Sequence, residues 1–222
     1  MDALHTFFRW LKRWGEVDQV PTWPEIEEVI EKERFALVYE DQQAALKNIP
    51  AEHRDIFEFM METGLRPGEV CAIQWHDIDF KSRRALIRRT YSESTLRETT
   101  KQKKEQWIPL SKRACEIIDV QEKDAASFIF VNPDTRRGYR YKVLNRLWNR
   151  HSGTDVDLYE GTRHSFCTQM VEQLDLASAQ KAMRHTDQRS TKRYDHSGDA
   201  KIREAMNNRS KVIDLEERRK KE

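Results

Sequence analysis

Residues 160–194 read EGTRHSFCTQMVEQLDLASAQKAMRHTDQRSTKRY. The stretch opens on the pair Arg163 and His164, crosses the apolar run SFCTQMVEQL, reaches His185, and ends on Tyr194 among basic residues. Apolar spacing predicts helices over 163–173 and 177–184. An arginine, a histidine and a tyrosine that converge could bind a phosphate and attack it. A free phenol titrates near ~10 and is a poor nucleophile at neutral pH. Neighbouring Arg and His side chains would favour the phenolate and activate it. The plainer alternatives are a buried aromatic at a helix end and a histidine that caps a helix locally.

The rest of the chain bounds what such a site could act on. The 222 residues suffice for one sizeable core, or for one domain and an appendage. Charged residues make up 35% and mean hydropathy is -0.90, which predicts a soluble protein. No apolar run approaches the ~20 residues of a membrane helix. The opening MDALHTFFRWLKRWG carries charges and aromatics at helical spacing, unlike a signal peptide. Cys71, Cys115 and Cys167 lie far apart, which argues against a disulfide framework or a zinc site and for a reducing cytosol. The net charge of +2 hides an asymmetry: residues 16–62 sum to -9 and residues 81–113 to +8. Further basic blocks at 136–163 and 181–193 suggest one positive face and a polyanionic partner. A salt-bridged, solvated surface is the alternative.

In chain order, residues 2–14 predict a helix with Leu4, Phe7, Phe8 and Leu11 on one face, stopped by Gly15. QVPTWPEIEE reads as a linker, and Pro24 suits the first turn of a short acidic helix. Asp41 can cap a helix to about Asn48. A second helix from about Ala51 turns Ile56, Phe57, Met60 and Met61 inward and ends at Gly64. Pro67 can start the next helix, PGEVCAIQW. Short strands are expected at 76–80, 84–90 and 106–110, then a helix capped by Ser111. An extended piece follows at 128–131 and a helix at 140–150. The tail, about 198–222, is a charged helical segment in which Ile202, Met206, Val212, Ile213 and Leu215 are sparse apolar positions. This is an α+β chain, mostly α, with a helical core and one small antiparallel sheet.

Four stretches carry the chemistry. Arg66, in TGLRPGEV, follows a glycine-ended helix, and its planar fork can grip two phosphate oxygens, with Glu69 orienting it or simply pairing with it. Lys101, in TTKQKKEQWIPLS, is either a solvated loop lysine or a proton donor to a leaving oxygen. Arg163 could complete a pair of guanidinium clamps for charge that builds on a phosphoryl group. His164 reads as structural, whereas His185 could reach a phosphate oxygen.

Taken together, TGLRPGEV, TKQKKEQWIPLS, EGTRHSF and RHTDQRSTKRY resemble the tyrosine recombinases of the phage-integrase type, over about residues 39–197. The resemblance assigns the family's first arginine to Arg66, in a TGxRxxE setting, and its lysine to Lys101, eight residues before Pro109. Its second arginine falls on Arg163, its later histidine on His185 and its nucleophile, nine residues on, at Tyr194. Residues 1–38 resemble the C-terminal remnant of a core-binding domain plus linker, and 39–222 a catalytic domain with its tail helix. Two departures stand out. Glu160 occupies the place where the family's HxxRH usually has histidine, and could act as a general base on the tyrosine or repel the phosphate. Met183-Arg184-His185 replaces LGH.

The resemblance implies a site-specific recombinase, or integrase, that forms a 3′-phosphotyrosyl intermediate. Arg66, Arg163 and His185 would hold the non-bridging oxygens, and Lys101 would protonate the departing 5′ oxygen. No metal or cofactor is implied, because the guanidinium pair supplies the charge. Double-stranded DNA carrying attachment sites is the implied partner, with Lys103, Lys104, Arg140, Arg184, Arg189 and Lys192 along it, so binding should weaken with salt. A homo-oligomer on DNA, a tetramer joined through the C-terminal tail, and a cytoplasmic, nucleoid-associated location are also implied. The alternatives are a type IB topoisomerase-like activity and a DNA-binding protein of the same fold with impaired catalysis.

Overall fold

The computed structural model describes residues 2–22, 35–92, 95–98, 105–122, 127–174 and 176–183. The chain divides into two compact units, residues 1–33 and 34–222. In the first, helix α1 (Asp2–Arg13) is closed by Gly15 at φ 74°, the left-handed stop its sequence predicts. Phe8 and Leu11 are its half-buried apolar residues, and Trp10 stacks on Trp14 at 5.0 Å. The acidic segment after Pro24 and the tail 198–222 lie outside the described residues.

The second unit is built around α3 (Ala51–Thr63), which follows α2 (Tyr39–Asn48) after the break at Ile49-Pro50. Ile56, Phe57, Phe59, Met60 and Met61 are all buried along α3, as apolar spacing at helical period requires. Helix α2 does not start at an Asp41 cap. It begins at Tyr39, with Val38 as an N-cap that makes no side-chain bond. The next helix is also shorter than expected: α4 is the single turn Pro67–Val70.

Among the described residues the expected antiparallel sheet forms with three strands, and two further two-stranded sheets accompany it. Strand β1 (Ile78–Asp79) pairs with β2 (Arg84–Ile87), and β2 pairs with β5 (Gln106–Pro109). Between β2 and β5 the chain makes a separate ladder, β3 (Thr90–Ser92) with β4 (Thr95–Arg97). The expected strand at 76–80 is shortened because Trp75–Asp77 forms a 3-10 turn, closed when the Asp77 carboxylate accepts the Gln74 N–H at 3.0 Å. Alternation in β2 buries Ala85 and Ile87 toward the core.

Helix α5 (Lys112–Asp119) starts where Ser111 Oγ accepts the Ala114 N–H at 3.0 Å, as its sequence predicts. It is clasped to α3 by a two-pronged Arg113–Glu58 ion pair at 2.6 and 2.8 Å. The extended piece at 128–131 contributes only Val131 to β6 (Val131–Asn132), which pairs with β7 (Arg137–Gly138). Phe128 instead bridges to Gln74. Helix α6 (Tyr141–His151) buries Leu144 and Trp148. The expected helix from Arg163 is preceded by a wider π turn, Glu160–His164, and only then runs as α7 (Ser165–Gln173). Helix α8 (Leu176–Met183) packs on α7 through Cys167, Val171, Ala179 and Met183.

Candidate active site

Arg66 is positioned by two short-range devices. Helix α3 ends at Gly64, whose φ of 59° suits glycine, and a Cβ there would run into the Phe166 ring of α7. Two residues later Arg66 is the extended N-cap of α4, with Pro67 at the first helical position. The Glu69 carboxylate accepts the Arg66 backbone N–H at 3.0 Å and pairs with its guanidinium at 3.1 Å. The Glu69 side chain is 1% exposed and that of Arg66 29%, so a buried anion holds a half-buried cation. The opening of α4 is seated against β3, since a Cβ on Gly68 would run into the Tyr91 carbonyl and Thr90.

Arg163 comes from the π turn and is 1% exposed. Its Nη1 donates to the Gly64 carbonyl at 2.5 Å and its Nη2 to the Met183 carbonyl at 2.9 Å. Arg163 is therefore tied to the end of α3, two residues before Arg66 in the chain. Among the described residues no carboxylate pairs with Arg163, and its Nε has no hydrogen-bond partner. Among the described residues its charge faces carbonyl oxygens alone, a setting that favours an anion. Two of its five N–H donors go to the carbonyls.

The π turn is itself held from outside. Ser165 N–H donates to the Glu160 and Thr162 carbonyls, which leaves the Gly161 carbonyl without the donor an α-helix would supply. Gln42 Nε2 fills that role at 2.8 Å. Gln42 Oε1 accepts from Gln169 Nε2 at 3.0 Å, and Gln169 also donates to the Leu37 carbonyl at 3.1 Å. Leu37 N–H donates to Ser165 Oγ at 2.9 Å, and the Ser165 hydroxyl donates to the Glu160 carbonyl at 2.6 Å. Gly161 lies flat against Trp148, whose indole would obstruct any Cβ there. Glu160 is half-buried at the head of this turn, its N–H bonded to Asp157 at 2.8 Å. His164 is buried in the turn, in keeping with a structural role.

Sequence reasoning did not find Gln42 or Gln169, because a glutamine in an amphipathic helix reads as surface and its partner here is 119 residues away. Asp77 was also missed. Its buried carboxylate binds Arg88 at 2.9 Å and Arg89 directly, at the point where β2 gives way to the segment leading to Lys101. The Gln74–Asp77 spacing of a capping box was the available signal. Arg140, expected along DNA, stacks 3.9 Å above the Tyr91 ring and donates to the Gly138 and Tyr139 carbonyls at 3.1 and 3.2 Å. It lines a cleft of about 470 Å³ together with Asn132, Arg137 and Val143. Lys101, Lys103, Lys104, Arg184, His185, Arg189, Lys192 and Tyr194 lie outside the described residues. Among the described residues no group of three or more His, Cys, Asp or Glu could hold a metal ion, and no helix is long and apolar enough to cross a membrane.

Comparison with known proteins gives this geometry a context. The family model described as the phage integrase family matches residues 31–201. The tyrosine recombinase XerC of Bacillus licheniformis is 28% identical over 223 residues, covering 88% of this chain and 68% of the relative. XerC of Bacillus subtilis is 27% identical with the same coverage. Among solved structures, the Tn1549 transposon integrase bound to a circular intermediate DNA aligns at a TM-score of 0.72 and 17% identity, over 92% of this chain and 76% of that one. A lambda integrase dimer bound to a COC′ core site aligns at 0.65 and 18%, over 89% and 58%. These structural likenesses establish the α+β fold, mostly helical with small antiparallel ladders.

Proposed function

This chain belongs to the phage integrase family, and we propose that it acts as a tyrosine-type site-specific recombinase that cuts and rejoins DNA. The observation that carries the reading is the Arg163–Gly64 bond, which holds a buried guanidinium, with no carboxylate partner among the described residues, at the end of the helix that leads to Arg66. Two cations gathered from sequence positions 97 residues apart suit a phosphate in double-stranded DNA.

In the proposed reaction Arg66, Arg163 and His185 bind the non-bridging oxygens of the scissile phosphate. The Tyr194 oxygen attacks the phosphorus in line, a 3′-phosphotyrosyl bond forms, and the bond to the 5′ oxygen breaks. Lys101 gives that oxygen its proton, and Glu160 accepts the phenol's. The energy of the broken ester stays in the new one, so rejoining needs no nucleotide hydrolysis. Lys103, Lys104, Arg184, Arg189 and Lys192 follow the DNA backbone, and Arg140 supports the Tyr91 side of the site. Recognition of attachment sites, assembly as a tetramer through the 198–222 tail and a nucleoid-associated, cytoplasmic setting complete the proposal.

The test is trapping on a nicked duplex carrying a candidate attachment site, with the modified peptide mapped. Wild type should give an adduct at Tyr194, and Tyr194→Phe should bind the DNA without forming one. Adducts persisting in Tyr194→Phe would overturn the nucleophile assignment. Glu160 favours a second reading, a DNA-binding protein of this fold whose catalysis is impaired by an acid near the phosphate. Binding without any covalent product in wild type would select it.

A further inference from the structure

We infer that Gln42 is a positioning residue for DNA cleavage, acting through the π turn to hold Arg163 in its working place; this rests on the recombinase reading above. The Gly161 carbonyl is buried and lies in a turn whose pitch denies it the N–H four residues on. Gln42, 1% exposed and anchored in α2, is its donor at 2.8 Å. The rest of the circuit closes on the neighbouring Glu160 carbonyl by way of Gln169, Leu37 and Ser165. Two consecutive carbonyls of the turn are thus fixed by side chains, one of them borrowed from α2.

The arrangement is coupled to Arg163 by geometry. Arg163 lies two residues after Gly161, and its guanidinium must reach carbonyls on α3 and α8 at once. Without the Gln42 amide, the Gly161 carbonyl can recover the Ser165 N–H if the turn tightens toward α-helical pitch. Tightening shifts the Arg163 backbone relative to Gly64 and Met183. Misplacement of a charged clamp by about 1 Å can cost on the order of a hundredfold in rate. DNA affinity, spread over many basic side chains, should scarcely change.

The experiment measures single-turnover adduct formation on the nicked duplex, DNA affinity and thermal stability in the full chain. Gln42→Met keeps the apolar bulk and deletes the donor. Gln42→Glu keeps the acceptor for Gln169 and deletes the donor to Gly161, so it decides the matter if Gln42→Met does not fold. Ile117→Ala, a cavity in α5 away from the turn, supplies a comparable loss of stability. Rates are taken per folded, DNA-binding molecule. The expected result is a fall of about ten- to a hundredfold for the Gln42 variants at unchanged affinity, with Ile117→Ala at the wild-type rate. Gln42 variants that react at the wild-type rate, or slow only as much as Ile117→Ala, overturn the inference while leaving the recombinase reading intact. A wild type that forms no adduct removes both.

Discussion

Arg163 Nη1 and the Gly64 carbonyl oxygen lie 2.5 Å apart, and this bond joins the π turn to the end of α3. Arg163→Ala should remove the Arg163 donors from the buried Gly64 and Met183 carbonyls, at a cost of about 1–3 kcal/mol each. Adduct formation should fall on the order of 10²- to 10³-fold, the usual loss when one transition-state donor is removed. Arg163→Lys should recover part of the stability and little of the rate, because a single ammonium cannot span both carbonyls and a phosphate. Denaturant titration and adduct trapping, run together, check both.

Gly64→Ala is expected to be among the most damaging small substitutions in the chain. The left-handed backbone alone costs about 1–2 kcal/mol, and the collision with Phe166 adds about 1–3 kcal/mol. Gly153→Ala offers the comparison: its φ is 72°, but its Cβ meets only the Asn48 amide, at 3.0 Å. It should show the backbone cost and little more. Equal losses at the two glycines would mean that the Phe166 packing does not constrain Gly64.

Glu160→Gln tests the acid at the head of the π turn. Removing a general base should slow adduct formation about 10²-fold or more, with DNA binding retained. A faster variant would mean that the carboxylate acts by repelling the phosphate.

Alkaline solution should weaken the fold. Burial pushes the Cys71 thiol from 9.0 up to about 12, with Arg140 pulling the other way, and burial also raises the Tyr139 phenol, aided by Asp134. Both groups are neutral in folded and unfolded chains well below pH 9, so there they contribute no slope. Between about 9 and 12 the unfolded chain gives up the Cys71 proton and the folded chain keeps it, so stability falls as pH rises. The slope approaches ~1.4 kcal/mol per pH unit for one such group. Cys71→Ala should lessen it and leave the part due to Tyr139, as read from urea midpoints across this range.

The parts of the fold that were legible in the sequence are those written in local chemistry. Gly64 as a left-handed stop, Pro67 at a helix start and Ser111 as a cap need only a few neighbours to specify them. The inward face of α3 follows from spacing alone. What escaped depends on distant partners. The start of α2 at Tyr39 ignores the available Asp41 cap, and Gln42, the next residue, is committed to the Gly161 carbonyl. The Trp75–Asp77 turn replaced strand because a buried carboxylate gathers Arg88 and Arg89 around it. In the candidate site, the Arg66–Glu69 pair was readable at three residues' distance, whereas the approach of Arg163 to Gly64 spans 99 residues and could be expected only from the family pattern.

The widened turn at 160–164 also sets the rotational phase of everything after it. One residue more or less in a helix swings the following side chains by roughly 100° about the axis. Drawn as an uninterrupted α-helix from Tyr159 onward, the same sequence would give Cys167 and Val171 a different bearing on α8. The bulge works like an offset coupling in a shaft: the end that presents a charge and the end that packs on α8 each keep their own bearing.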